Sequence, residues 1–346
     1  MSTLRGRILV TGGAGFIGSA LVWALNRRGL TDIVVADLMD GTKQWHGQVP
    51  LSLNAEEKRK NLRSLQFADL VEADVFRTRV QSDANAFGRF STVFHLGANS
   101  STTETNAEFL RDINFEYTRQ LAQWTLRQGA RFIYASSAAT YGDGSAGMDD
   151  QNEHLERLHP LNLYGQSKHD FDIYARDQGW LRQIVGVKYF NVFGPNEDHK
   201  GDMRSLVHKA YQQILTTGQV QLFKSHKPEF KDGEQQRDFL YVKDAVEMTL
   251  HFAEKAAVAG GLYNLGSGEA NTWLTLTRAI FAALGLESKI VFVNMPEVLR
   301  GKYQYFTQAD VSKLRATGYA RPMTPLSEAV RDYVQSYLVP GKKLGE

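Results

Sequence analysis

The most constraining feature of this sequence is a glycine-rich turn near its start. An apolar segment, residues 7–11, runs directly into Gly12, Gly15 and Gly18, and a helical pattern follows at 19–28. Glycines at this spacing turn the chain tightly, let backbone approach a pyrophosphate and let the helix pack on the strand. The start of the helix adds unpaired N–H groups and a positive dipole, and both favour phosphate.

A second apolar segment supports the same interpretation. Residues 33–36 end in Asp37, about 20 residues beyond the glycines, where a carboxylate can accept a hydrogen bond from a ribose hydroxyl. A strand, a glycine turn, a helix and an acid in this order predict a dinucleotide-binding site.

Composition limits the class of protein. The 346 residues fit one large domain or two, and 42% hydrophobic with 23% charged residues are ordinary for a globular protein. A formal net charge of +2 gives no basic surface for nucleic acid. The absence of cysteine excludes disulfides, thiolate metal sites and cysteine nucleophiles. Because there is also no signal-peptide pattern and no apolar run of about 20 residues, we expect a cytoplasmic protein that does not span a membrane.

Apolar and helical segments alternate through the first half, which predicts an α/β fold with a Rossmann-type, doubly wound parallel sheet. We expect an NAD(P)-binding domain from 1–188 plus 239–258, and a smaller mixed α/β substrate-binding domain from 189–238 plus 259–346. The charge run at 56–60 is interpreted as a solvated helix face or loop. Other predicted strands cover 66–73, 92–96, 131–135, 183–189 and 237–242, and predicted helices cover 104–127, 163–177, 203–217 and 244–255.

Tyr164 and Lys168 stand four residues apart in a predicted helix, so their side chains lie on one face. A tyrosine hydroxyl is a poor base near neutral pH because its usual pKa is about 10, but a neighbouring ammonium favours the phenolate. Ser137, at the end of a predicted strand, can donate to a substrate oxygen as charge develops there. Alone, the Tyr164/Lys168 pair is more often an exposed polar face, and the glycine turn with the strand-end serine favours catalysis instead.

These motifs resemble the extended short-chain dehydrogenases/reductases that modify nucleotide sugars. Further segments, at 94–104, 135–142, 160–165, 189–201 and 301–310, resemble the ADP-L-glycero-D-manno-heptose 6-epimerases of that group. The resemblance implies inversion of C6 of the heptose in ADP-D-glycero-D-manno-heptose by transient oxidation, with tightly bound NADP as the oxidant. It also implies a role in lipopolysaccharide core synthesis and a homopentameric assembly.

The resemblance further implies roles for individual residues. Tyr164 corresponds to one catalytic acid/base and Lys200 to a second, assisted by Lys168 and Ser137. The residues implied at the cofactor are Gly12, Gly15, Phe16, Ile17, Gly18, Asp37, Leu38, Lys43, Leu96, Gly97, Ala98, Asn99, Ser100, Asn114, Lys168 and Val192. Those implied at the ADP-heptose are Asn191, Lys200, Asp202, Lys209, Phe223, Lys224, Ser225, His226, Arg237 and Tyr303.

Some positions depart from the family pattern. Leu38 stands where an asparagine is usual, Asp202 stands where a serine is usual, and Ala73 stands near the place of a second cofactor lysine. Asp37 by itself favours NAD, whereas the family prefers NADP. We expect NADP, with NAD as the alternative.

Other functions stay open at this point, namely a nucleotide-sugar 4-epimerase or reductase, a 4,6-dehydratase, and a non-catalytic NAD(P)-binding redox sensor. A dehydratase is disfavoured because Ala138 and Ala139 occupy the positions of its expected Asp-Glu pair. A 4-epimerase needs no second base at Lys200. A sensor tends to lose Tyr164 or Lys168, and both are present here.

Overall fold

The computed structural model describes residues 4–39, 54–83, 85–255, 257–301 and 303–346. Lys43, a predicted cofactor residue, therefore lies outside the described residues. Within these ranges, no helix is long and apolar enough to cross a lipid bilayer.

Among the described residues, seven strands correspond to predicted apolar segments and five others, at 191–193, 220–223, 261–265, 270–272 and 290–293, were not predicted. The strands of the described residues are β1 Ile8–Thr11, β2 Ile33–Asp37, β3 Asp69–Glu72, β4 Thr92–His95, β5 Arg131–Ser137, β6 Val185–Tyr189, β7 Asn191–Phe193, β8 Val220–Phe223, β9 Gln236–Tyr241, β10 Gly261–Leu265, β11 Ala270–Thr272 and β12 Ile290–Val293.

Seven of these strands form the main sheet, in the order β10-β6-β5-β4-β1-β2-β3. Each neighbouring pair is parallel, so all the carboxyl ends lie at one edge. The predicted doubly wound parallel sheet is confirmed. Two smaller sheets, β11-β9-β7 and β12-β8, accompany it.

The main sheet is apolar on both faces because alternate residues of a strand point to opposite sides. Val10 and Phe94 pack in one core with the helices that follow β1 and β9, whereas Leu9 and Val93 pack in a second core on the other face. The helices of the described residues are α1 Phe16–Asn26, α2 Ala55–Leu62, α3 Ala73–Ser82, α4 Ala107–Leu110, α5 Tyr117–Arg127, α6 Leu163–Asp177, α7 Leu206–Thr217, α8 Val242–Glu254, α9 Trp273–Ala283, α10 Glu297–Arg300, α11 Ser312–Ala316 and α12 Leu326–Asp332.

Helix boundaries differ from the predictions where local hydrogen bonds decide them. The helix predicted at 104–127 contains a π-helical stretch, Arg111–Glu116, between α4 and α5. The helix predicted at 203–217 begins at Leu206 because the Ser205 side chain caps it by accepting from the N–H of His208. Helix α6 has the predicted bounds, and Asn162 caps it by accepting from the N–H of Gly165 at 2.8 Å.

The interpretation of the charge run 56–60 as a solvated face is wrong at one position. Lys58 lies on α2 but is buried, with 8% of its surface exposed. Its ammonium lies 2.9 Å from Asp37 Oδ1. A buried cation requires a partner of this kind. Here the partner lies on strand β2, and the local sequence pattern of α2 does not reveal a contact with another element.

The two-domain division remains a prediction. Strand β10, placed by that prediction in the substrate-binding unit, pairs with β6 at the edge of the main sheet. Strand β9 begins at Gln236 and pairs with β7 and β11 in a small sheet.

Candidate active site

The strand order of the main sheet reverses between β1 and β4. Ligands of open α/β sheets bind outside the carboxyl ends of the strands at such a point. The glycine turn leaves β1 here, and residues 96–100 leave β4 beside it. The end of β5 carries Ser137 to the same edge.

The glycines of the turn are required by close backbone contacts. Gly12 has a φ of +68°, and a Cβ placed on it would lie 2.6 Å from the backbone nitrogen of Gly97. A Cβ on Gly18 would lie 2.0 Å from the carbonyl oxygen of Gly12. A side chain at either position would collide with neighbouring backbone, so Gly12 allows the tight turn beside residue 97 and Gly18 allows α1 to pack closely against the turn. The turn therefore fits a dinucleotide, with Gly15, Phe16 and Ile17 following at the start of α1.

Asp37 holds the glycine turn in shape. Its Oδ2 accepts from the N–H groups of Ala14, at 2.8 Å, and Gly15, at 3.1 Å. Its Oδ1 accepts from the N–H of Leu38 at 2.7 Å and from Lys58 Nζ at 2.9 Å. Four donors occupy the roughly four acceptor positions of a carboxylate. The predicted contact of Asp37 with ribose stays a prediction.

The loop at 96–100 is fastened to the helices that follow it. Asn114, in the π-helical stretch, accepts from the N–H of Asn99 at 2.9 Å and donates to the Asn99 carbonyl at 3.0 Å. Its amide also donates to Ser167 Oγ on α6 at 2.9 Å. Leu96, Gly97 and Ala98 are half-buried beside the turn, whereas Ser100 is exposed. Asn114 thus links the predicted cofactor loop to the helix of Tyr164.

Tyr164, Ser137 and Lys168 come together at the carboxyl end of β5. The Tyr164 hydroxyl hydrogen-bonds the Ser137 side chain, and Ser137 Oγ also accepts from the N–H of Ala139 at 3.1 Å. Lys168 lies one turn further along α6 and is buried. Burial lowers the pKa of Lys168 to about 8, against the opposing charge of Asp172.

The sequence predicts that a neighbouring ammonium lowers the pKa of Tyr164, and in this structure that prediction is wrong. Burial raises the pKa of Tyr164 and outweighs the opposing hydrogen bond from Ser137. At neutral pH the hydroxyl therefore keeps its proton, so Tyr164 rests as an acid. To act as a base it needs the ammonium of Lys168, which favours the phenolate.

Lys200 lies in a helical turn, Asp198–Met203, that follows β7. Its ammonium stands over the ring of Phe16, 5.0 Å from the ring centroid, so the turn reaches back to the start of α1. Burial lowers the pKa of Lys200. The positive charge of Lys209 lowers this pKa further, whereas the negative charge of Glu197 raises it. A lysine in such surroundings is suited to exchange protons.

Arg237, on β9, forms a separate cluster with Tyr303 and Trp273. Arg237 is buried on β9, and its guanidinium stands 5.0 Å from the Tyr303 ring centroid and 5.7 Å from that of Trp273. Trp273 Nε1 donates to the Tyr303 hydroxyl at 2.7 Å. Burial lowers the pKa of Arg237 to about 10. Its Nη1 donates to the Gln236 carbonyl at 2.8 Å, and among the described residues no carboxylate pairs with the guanidinium. Its other N–H donors could therefore bind an anion.

The other predicted substrate residues form three groups. Asn191 Oδ1 accepts from Thr307 Oγ1 at 3.4 Å at the start of β7, one residue before the predicted cofactor residue Val192. Lys209 on α7 donates to the carbonyl of Asp202 at 2.9 Å, and both are exposed. The last group lies at the end of β8 and just after it, and consists of Phe223, Lys224, Ser225 and His226. In this group the N–H of His226 donates to the Tyr305 hydroxyl at 3.0 Å.

Among the contacts near the site that the sequence did not predict, two involve Lys58 and Trp273. Lys58 reaches Asp37 from α2, and its charge run offered no periodicity that separates it from its exposed neighbours. Trp273 packs between β9 and Tyr303, and its signal was that of an ordinary apolar helix residue.

Comparison with known proteins gives a consistent picture. Residues 8–266 match the model of the NAD dependent epimerase/dehydratase family. An ADP-L-glycero-D-manno-heptose-6-epimerase of Nitratidesulfovibrio vulgaris is 47% identical over 330 residues, covering 95% of this chain and 97% of the relative.

Two solved structures share the fold over almost the whole chain. The ADP-L-glycero-D-manno-heptose-6-epimerase of Helicobacter pylori superposes with a TM-score of 0.75 at 26% identity, covering 97% of this chain and 99% of that one. The UDP-glucose 4-epimerase of Thermus thermophilus, solved as a complex with NAD, superposes with a TM-score of 0.70 at 25% identity, covering 95% and 98%.

The resemblance inferred from the motifs is therefore confirmed. The chain belongs to the NAD dependent epimerase/dehydratase family and, within it, to the ADP-L-glycero-D-manno-heptose-6-epimerases.

Proposed function

We propose that this protein inverts C6 of the heptose in ADP-D-glycero-D-manno-heptose, giving ADP-L-glycero-D-manno-heptose for the lipopolysaccharide core. The names of the relatives support this substrate. The observation that carries the proposal is the presence of two proton carriers on separate elements. Tyr164 lies on α6, and Lys200 lies in the turn over Phe16.

Two proton carriers suit inversion through a ketone. Oxidation removes a hydride and a proton from the secondary alcohol, and reduction returns the hydride to the other face of the carbonyl. If the terminal unit of the sugar turns between these steps, its oxygen ends at a different place. A second group within hydrogen-bond reach of that place is then needed to return the proton.

A nicotinamide dinucleotide is the cofactor that the family and the NAD-bound neighbour support. When bound, it supplies hydride acceptance and hydride return, while the protein supplies orientation and electrostatics. The glycine turn would hold its pyrophosphate and Lys168 its ribose. We favour NADP because Lys58 neutralises Asp37, and an unpaired carboxylate there would repel a ribose 2′-phosphate.

Arg237 provides a place for the diphosphate of the substrate. Its guanidinium is buried between the rings of Trp273 and Tyr303 and so is fixed in orientation. Arginine binds phosphate oxygens through paired N–H donors, which give geometry as well as charge. This cluster, together with residues 223–226, would hold the ADP while the heptose points to Tyr164.

The direct test is to incubate the purified protein with ADP-D-glycero-D-manno-heptose and follow the C6 configuration by NMR. Conversion to the L-glycero epimer is expected with wild type, whereas Tyr164→Phe and Lys200→Met should give none. Each single variant should still dismutate an aldehyde analogue of the substrate, because oxidation and reduction of an aldehyde need one competent site. The double variant should lose dismutation too.

Three results would contradict the proposal. If Lys200→Met raises KM with kcat largely intact, Lys200 binds phosphate instead. Interconversion of UDP-glucose and UDP-galactose, without action on the ADP-heptose, would identify a 4-epimerase. A protein that binds NAD(P) and turns over none of these substrates would be a redox sensor. The cytoplasmic location and the homopentamer stay predictions from the sequence.

A further inference from the structure

One buried cluster of polar side chains, beside the Tyr164 group, has been given no role in the reaction so far. Asp172 on α6 and Lys188 on β6 have no exposed side-chain surface, and their charged atoms lie 2.8 Å apart. The Asp172 carboxylate also accepts from the Tyr134 hydroxyl at 2.8 Å and from Ser136 Oγ at 2.7 Å. The Lys188 ammonium donates in addition to Thr140 Oγ1 at 2.7 Å. Burying two charges costs free energy, and an ion pair of this kind often adds little net stability. Its presence beside the Tyr164 group therefore suggests a role other than stability.

The cluster adjoins two residues of the Tyr164 group, Lys168 and Ser137. Asp172 follows Lys168 by four residues on α6, so the two side chains share a face. Ser136 precedes Ser137 at the end of β5, and Thr140 Oγ1 donates to the Ser137 carbonyl at 2.8 Å. A displacement of the Asp172 carboxylate would therefore be transmitted both to the lysine and to the serine.

We propose that Asp172 is a positioning residue for the reaction. Its carboxylate, fixed by Lys188, keeps the ammonium of Lys168 charged and holds the end of β5 against α6, so that Ser137 meets the Tyr164 hydroxyl. This inference rests on the proposed function only through the roles assigned to Tyr164 and Lys168.

The sign of the effect follows from the groups that surround Lys168. Burial lowers the pKa of Lys168, and the charge of Asp172 opposes that shift. Among the described residues, Asp172 is the carboxylate whose charge acts on Lys168. The other titratable groups packed around the cluster are Tyr164 and His169 on α6, His95 on β4, Tyr134 on β5, Tyr141 in the turn after β5 and Lys188 on β6. Further carboxylates act on two of these groups, Glu156 and Asp170 on His169, and Asp149 and Asp150 on Tyr141. Removing the Asp172 carboxylate should make Lys168 lose its proton at a lower pH.

The central experiment compares wild type with Asp172→Asn/Lys188→Met. This double variant removes both charges, so that neither is left buried without its partner. The titration of Lys168 is read by ¹³C NMR of labelled lysine side chains, assigned by the signal missing from Lys168→Arg. We expect the Lys168 pKa to fall by about one to two units, and the alkaline limb of kcat to move to lower pH by a similar amount. An unchanged titration in the folded double variant would overturn the proposal.

Two further variants separate charge from packing. Asp172→Glu keeps the carboxylate, so the pKa of Lys168 in this variant should stay close to that of wild type. A fall in the Lys168 pKa like that of the double variant would contradict the charge effect. Asp332→Asn removes a different ion-pair carboxylate, 2.6 Å from Lys243, and should leave Lys168 unchanged. Because the NMR titration needs no substrate, it can support this inference even if the protein fails to epimerise the ADP-heptose.

Discussion

Tyr164 offers the cleanest test of the chemistry at a single residue. Replacing it by phenylalanine removes the hydroxyl that bonds Ser137 and leaves the ring in place. We expect kcat to fall by about 10²–10⁴-fold, the usual contribution of a general acid/base. Turnover measured beside the thermal unfolding midpoint separates this loss from a loss of fold.

Tyr174→Phe is the matched control because it removes another phenol hydroxyl from α6. Tyr174 packs its ring against Phe115 and Trp180 and has no assigned chemical role. Its variant should keep wild-type turnover. Equal losses in the two variants would mean that α6 had been disturbed, and the catalytic role of Tyr164 would lose its support.

The residue-level predictions succeeded where spacing along the chain determines the contact. Tyr164 and Lys168 share a helix face because they are four residues apart, and Ser137 ends its strand as expected. Lys58 and Asp172 were missed because their partners, Asp37 and Lys188, lie on other elements. The periodicity of a sequence shows which residues share one face of a helix. It does not show which side chain of another element contacts that face.

At the level of elements, the start of α6 decides where Tyr164 sits. The side chain of Asn162 caps this helix, and Tyr164 lies in the first turn. Asn162→Ala should lower the free energy of unfolding by about 1 kcal/mol and should also reduce turnover. Chemical denaturation gives the first quantity and the epimerisation rate gives the second.

A cap elsewhere provides the comparison for this prediction. Asn106 caps α4 by accepting from the N–H of Phe109 at 3.0 Å. Asn106→Ala should cost a similar stability and leave turnover nearer to wild type. If both variants reduce turnover equally, general destabilisation is the cause and the position of the first turn of α6 is not.

Helix α2 should set the preference between NADP and NAD. Lys58→Met removes the ammonium beside Asp37 and leaves a carboxylate that repels a 2′-phosphate. Since hydrogen bonds to charged groups contribute about 1.5–3 kcal/mol, we expect the affinity for NADP to fall about 10- to 100-fold relative to that for NAD. Calorimetric titration of the cofactor-free protein with each nucleotide measures the ratio.

The control for α2 is Lys60→Met, two residues further along. Lys60 pairs with Glu57 at 2.7 Å on the surface of the helix, so its loss should leave the NADP/NAD ratio unchanged. An equal change in both variants would attribute the effect to the net charge of α2. No change in either would leave Lys58 as a support for Asp37 alone.

Most strands of the main sheet were predictable because both faces of the sheet are covered, which makes strands such as β1 and β2 nearly continuous apolar runs. Strand β10 was assigned to the other unit because it lies far along the chain, after α8, and nothing local indicates that Leu262 pairs beside Gly186. The small sheets were harder to predict, since β7 and β11 have three residues each and owe their pairing to β9.

At the scale of the whole molecule, Asn196 joins distant parts of the chain. Its side chain donates to Ser19 Oγ on α1 at 2.9 Å and accepts from the N–H of Leu344 at 3.0 Å. Its carbonyl accepts from Asn61 of α2 at 3.0 Å. The segment 343–346 is thereby attached two residues before the turn that carries Lys200. Sequence reasoning gave no role to this segment, since its contact with Asn196 spans 148 residues of chain.

Lys343 is the charged part of this attachment, because its ammonium pairs with Asp198 of the Lys200 turn and lies 3.3 Å from Glu57 of α2. Burial would raise the pKa of Asp198, but the hydrogen bond from His208 and the charge of Lys343 outweigh it and hold that pKa below its usual range. A carboxylate with a depressed pKa stabilises the fold above its unfolded pKa of about 3.9 and loses that contribution as the pH falls.

Lys343→Met should therefore lower the free energy of unfolding by about 1–3 kcal/mol at pH 7, between the values for exposed and buried pairs. The difference from wild type should shrink at a pH of about 2.5, because this pH lies below the unfolded pKa values of Asp and Glu and the contribution of the paired carboxylates is being lost there. Urea unfolding at both pH values measures it, and Lys342→Met, at an exposed neighbouring lysine, should match wild type at each. A difference that stays constant with pH would show that Lys343 stabilises the protein through packing of its carbon chain and not through its charge.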